Sequence, residues 1–149
     1  MNWNNDRSIT LSKVCVFAFS LLLAAADIGA YPLVRWFIGL RGMNWQQGTG
    51  MMICLYLCSI FAWIALFNLL KLLGRIGAGE VFISSNVKSM RIISWCCVAV
   101  AAVCLVSGIV YLPFILVAMA AGFMALIVRI VKNAFQQAVE MKDELDLTV

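Results

Sequence analysis

Histidine is missing from this chain altogether. Its absence excludes bis-histidine haem ligation, histidine-ligated zinc and imidazole acid–base chemistry. Charge is scarce as well: only 12% of the 149 residues are Asp, Glu, Lys or Arg, against about a quarter in a soluble domain. With 64% hydrophobic residues and a mean hydropathy of +1.01, a soluble globular enzyme does not fit, and neither does a disordered chain. Two prolines and ten glycines are too few for a collagen-like or linker-rich protein. No Cys-x-x-Cys occurs among the six cysteines, which removes the usual redox and zinc spacing. What remains is an all-α polytopic membrane protein of a single domain, residues 1–149.

A helix needs about 20 apolar residues to cross the hydrocarbon core. Four stretches qualify, at about 11–34, 51–73, 92–111 and 114–131, which leaves a loop at 74–91 and a C-terminal segment at 132–149. The first is too long for a cleavable signal and lacks a small-residue cleavage site. With four spans, one side collects nine basic residues and the other only Arg35 and Arg41. Basic residues stay on the cytoplasmic side, so both termini and the middle loop are expected there. Trp36 and Trp45 flank the outer loop, and Trp3 and Trp95 lie near the inner face, positions that suit rings at headgroup level. The net charge of +4 is explained by these edges and is no sign of direct nucleic-acid binding.

Spans three and four form a hairpin around the uncharged turn Tyr111-Leu112-Pro113-Phe114. Small residues recur four apart, as Ala118 with Gly122, Ala121 with Ala125 and Cys104 with Gly108, and predict close helix packing. Cys54 and Cys58 share a face of span two. That spacing would suit a soft metal or a redox pair, but cysteines in an apolar helix also serve as small hydrophobes, and no metal or cofactor is expected. Asp27 is the one acidic residue expected inside the hydrocarbon, toward the outer end of span one. It either pairs with Arg35 or Arg41 beyond a helix bent or ended by Pro32, or carries a proton or cationic substrate, or is exposed if the span is shifted. Asn68, a turn before Lys71, is expected to hydrogen-bond across helices.

The loop reads Gly74-Arg75-Ile76-Gly77-Ala78-Gly79-Glu80-Val81-Phe82-Ile83-Ser84-Ser85-Asn86-Val87-Lys88-Ser89-Met90-Arg91. It lacks the Lys-Ser or Lys-Thr of a phosphate loop. After Arg129 and Lys132 the helical period continues through Ala134, Phe135, Ala138 and Val139, with polar residues opposite. An amphipathic extension of the last helix is expected, ending in Glu140, Asp143, Glu144 and Asp146 against Lys142 alone. The net +3 loop between Lys71 and Arg91 and this acidic end would pair with each other or present a docking surface.

Two motifs carry a resemblance. Gly79-Glu80-Val81-Phe82 with Asn86-Val87 and Met90-Arg91-Ile92-Ile93-Ser94-Trp95 is one; the run from Lys132 to Asp146-Leu147-Thr148-Val149 is the other. Together they resemble a small bacterial membrane family described only as domain of unknown function 2975 (DUF2975), along nearly the whole chain. The resemblance implies four spans, no established enzymatic activity and a place in the bacterial cytoplasmic membrane. Genes of that family often neighbour a small helix-turn-helix regulator, which implies a regulatory pair with the membrane protein as sensor or tether.

The expectation is therefore a non-enzymatic regulatory or interaction protein in the lipid bilayer. Phe82, Asn86, Arg91, Lys132, Asn133, Phe135, Glu140, Glu144 and Asp146 would form its surface for a cytosolic partner, such as a helix-turn-helix regulator. The alternative is a small transporter or channel using Asp27, assembled as a homo-oligomer because four spans rarely enclose a pathway. A membrane redox enzyme built on Cys54 and Cys58 ranks last.

Overall fold

The computed structural model describes residues 3–148, with side chains over 7–148. The expectations for the Trp3 ring and for Val149 lie outside the described residues. Within them the chain is all-α: α1 (Trp3–Arg41), α2 (Trp45–Gly77), α3 (Ser84–Ser107) and α4 (Pro113–Leu147). Each helix is long and apolar enough to cross a membrane. The two apolar hairpins and the loop between them make neighbours antiparallel. Asp27 lies opposite Ser59, Ile38 opposite Gly48 and Ile9 opposite Gly77, a single register along α1 and α2. Both chain ends and the α2–α3 loop thus share one end of the molecule, the basic end, with nine of the eleven Lys and Arg residues.

At a rise of 1.5 Å per residue, α3 spans about 36 Å, close to the ~30 Å hydrocarbon core, while the other three run to about 50 Å or more. α1 contains Pro32 without ending there, which leaves a bend as the remaining one of the two expectations for that residue. The ring forfeits one amide, but the nine residues after it keep helical bonds among themselves, and in hydrocarbon no water competes for backbone groups. The helix stops instead at Gly42, whose φ of +61° is open to glycine, with the Met43 amide returning to the Ile38 carbonyl at 3.2 Å. α2 ends the same way. Gly79 has φ +86°, its amide bonds to the Ile76 carbonyl, and that of Glu80 bonds to the Arg75 carbonyl.

Among the described residues the helix backbones adjoin in chain order, α1 on α2, α2 on α3 and α3 on α4, while side chains of α2, α3 and α4 meet in one cluster of Cys54, Cys104 and Ala118. α3 is therefore the most enclosed and α1 the least. At the end opposite the basic one, Tyr111 closes the row by setting its ring edge-on to Phe37 of α1 at 5.7 Å and to Phe114 at 5.8 Å. The α3–α4 seam is made of buried Cys104, Gly108, Ala118 and Ala125, crossed by a hydrogen bond that Ser94 Oγ donates to the Ala125 carbonyl at 3.2 Å. Gly122, expected to pair with Ala118 at this seam, has open space beside it. On α4, Ala118 and Ala125 lie within about 20° of each other, and Gly122 is turned about 40° from the first and about 60° from the second.

Candidate functional site

At the basic end, local chemistry first shapes the loop. Asn86 is fully buried, and its Nδ2 donates to the Glu80 and Val81 carbonyls at 2.8 Å each. Asn86 therefore fastens the loop to the start of α3 and does not lie on the exposed surface where it was expected; its Oδ1 is buried without a partner. Arg75 completes the clamp by donating from Nη1 to the Ser85 carbonyl at 3.1 Å and to Ser89 Oγ at 3.2 Å. The clamp holds Phe82 against Phe135 of α4, with ring centroids 5.8 Å apart. Loop and C-terminal helix thereby form one surface.

A groove of about 270 Å³ follows on this surface between the start of α3 and α4, with Lys88 and Arg91 on one wall and Glu140 and Asp143 on the other. Val139 is buried in it, and Gln136 Nε2 donates to Glu140 Oε1 at 3.2 Å. Beyond Val139 every described residue of α4 is exposed, including Met141, Leu145 and Leu147. The amphipathic stripe is thus packed through Phe135, Ala138 and Val139 and uncovered after them. Asn133, Glu144 and Asp146 are exposed on the same helix.

A second cavity of about 270 Å³ lies between α3 and α4 on the membrane side of that groove, lined by Arg91, Ser94, Trp95, Val98, Arg129 and Lys132. Arg91 and Lys132, both expected as surface residues, meet here. Arg129 joins them, and only the helix register could have revealed it.

Asp27 is not paired with either arginine among the described residues. Its Oδ2 accepts hydrogen bonds from Ser59 Oγ at 2.7 Å and from Trp63 Nε1 at 3.0 Å, both on α2. Arg41 instead stacks over the Phe37 ring at 5.6 Å. The uninterrupted helix places Arg35 two turns from Asp27 and Arg41 nearly four, beyond the next-turn spacing at which side chains on one helix meet. Ser59 sits eight residues into the apolar span of α2 from its outer end, which keeps the carboxylate within the span and toward that end. Asn68 differs from expectation: its Nδ2 donates to the Ile64 carbonyl of its own helix at 2.8 Å. An amide four residues along reaches that carbonyl with no second helix required.

Cys54 and Cys58 are joined by Cys104 of α3, the three sulfurs lying within 4.8 Å of one another and Cys58 Sγ 3.7 Å from Cys104 Sγ. Three thiols in this arrangement could ligate a soft ion, and they equally fill an apolar core with Ala118. Sequence spacing gave the first two; the third depends on the α2–α3 register.

A family model described as "Protein of unknown function (DUF2975)" matches residues 23–149. No curated protein and no solved structure matches the chain.

Proposed function

We propose, for a chain that belongs to the DUF2975 family, a non-enzymatic role in which the basic end docks a protein partner. The basic end faces the cytoplasm in this reading, because nine Lys and Arg residues gather there against two at the other end. The observation that carries the proposal is the uncovered stretch of α4 after Val139. Met141 and Leu145, one turn apart, are 60% and 68% exposed outside the apolar span, beside Glu140, Glu144 and Asp146. A helix that shows apolar anchors at this spacing among acids suits a basic groove on a soluble protein. Phe82 against Phe135 holds the base of that helix, so it is presented with little loss of freedom on docking. The partner we infer is a cytosolic helix-turn-helix regulator, a choice that rests on the gene arrangement of the family and not on the residues of α4.

The test is recovery of cross-linked complexes from native membranes with the full chain, with residues 140–149 deleted, and with Met141→Ser/Leu145→Ser. The expected result is a cytosolic protein bound by the full chain alone, which then rebinds the purified full chain directly. Equal recovery in all three forms would overturn the proposal.

A second reading rests on Asp27. A carboxylate within the span, held among the described residues by neutral donors, suits passage of a proton or small cation through an oligomer. It requires flux in reconstituted vesicles that Asp27→Asn abolishes.

A further inference from the structure

We propose that the cavity between α3 and α4 at the basic end is a binding site for the phosphate of an anionic phospholipid, held by Arg91, Arg129 and Lys132. Three cations from two helices line one space, and no carboxylate lines it with them. Among the described residues no ion pair forms at any of the three. Like charges brought together without a counter-charge repel one another, and an anion in the cavity removes that repulsion. Ser94, in the same wall, is already committed to the Ala125 carbonyl, which leaves the three cations, with the Trp95 indole N–H, as the donors for a ligand.

The shape of the site separates a lipid from a free ion. One α-helical turn separates Arg91 from Trp95, and nearly another takes the wall on to Val98, so the lining passes from cationic to apolar toward the hydrocarbon. Trp95 is 62% exposed beside it, a ring of the kind that settles at headgroup level. A cavity of about 270 Å³ equals roughly nine water volumes, room for a phosphate with its glycerol. The acyl chains would then leave along Trp95 and Val98. An inorganic phosphate would use the cations and leave the apolar wall idle. Basic pockets between membrane helices on the cytoplasmic side are well suited to such headgroups. Arg91 also borders the groove that holds Glu140 and Asp143, so lipid in the cavity and the acidic wall of the groove compete for one guanidinium.

The experiment is native mass spectrometry of the full chain, delipidated in detergent and titrated with phosphatidylglycerol, phosphatidylcholine or inorganic phosphate. Phosphatidylglycerol is expected to bind in preference to phosphatidylcholine. Each of Arg91→Gln, Arg129→Gln and Lys132→Gln should weaken it about fivefold, the share of one basic residue at a charged membrane surface. Arg91→Lys and Arg129→Lys should retain most of the affinity, which guards against loss through misfolding. Arg35→Gln and Arg41→Gln, at the opposite end, should change nothing. Equal binding of phosphatidylcholine, unchanged binding in the three Gln variants, or displacement of the lipid by equimolar inorganic phosphate would each overturn the proposal.

Discussion

Replacing Asp27 separates two contributions that coincide in the native side chain. Among the described residues α2 is the helix that α1 adjoins along its length, and Asp27 accepts two hydrogen bonds across that interface, both at Oδ2. Interhelical hydrogen bonds in membranes average about 0.6 kcal/mol and reach about 1.7, so Asp27→Ala, which removes both, should lower stability by about 1–3 kcal/mol. Asp27→Asn keeps an amide oxygen with two lone pairs in the same place and can retain both bonds. It should stay within about 1 kcal/mol of the native protein. For insertion the ranking inverts. An aspartate at the centre of a span costs about 2.5–3.5 kcal/mol on insertion scales, so both variants of the isolated α1 segment should insert better than the native one. Folding stability is read from helical circular dichroism as the fraction of sodium dodecyl sulfate in mixed micelles rises. If Asp27→Ala proves as stable as the native chain, the two bonds do not hold α1 to α2. If Asp27→Asn falls as far as Asp27→Ala, the acceptor oxygen is not what matters, and the reasoning fails.

Two further predictions concern packing and the loop. At Gly108 an added Cβ would lie 2.5 Å from Ile115 Cγ1 and 3.1 Å from the Leu105 carbonyl oxygen, so Gly108→Ala should cost about 1–3 kcal/mol by overpacking, seen as a lower midpoint in the same titration. Gly122→Ala, with open space beside it, should cost less than about 0.5 kcal/mol there. Asn86→Ala leaves the Glu80 and Val81 carbonyls without their donor and should free the loop, at about 1–3 kcal/mol. Faster amide exchange confined to residues 80–90 would be the signature, and an unchanged exchange pattern would count against the clamp.

The sequence was most informative where one helix decides the matter. Long, predominantly apolar runs mark all four helices, because in hydrocarbon a backbone can satisfy itself only within a helix or a closed barrel. The continuation of α4 past Lys132 was legible from its period, and the end of α2 from its glycines. The misplacements arise where a neighbour decides. Sequence proximity offers Asp27 two arginines as one of three readings, whereas antiparallel register delivers Ser59 and Trp63 from 32 and 36 residues away. Cys104 reached Cys54 and Cys58 by the same route. Asn86, polar and in a loop, reads as a surface residue, but two carbonyls freed by the turn give it reason to be buried. At Pro32 the sequence left a bend or an end open, and the helix does not end there, since a residue that ends helices in water need not do so where backbone bonds have no competitor.

α4 runs unbroken from the far turn to Leu147. From the middle of its span, near Gly122, to that end it extends about 37 Å as one continuous helix. Turning such a helix by 10° about that point carries the tip roughly 6 Å sideways, more than the pitch of the helix itself. Tilt is the variable by which a helix answers a change in bilayer thickness. The length of α4 thus makes it a lever: a small rotation set by the lipid arrives at Met141 and Leu145 as a displacement large enough to make or break contact with a neighbour.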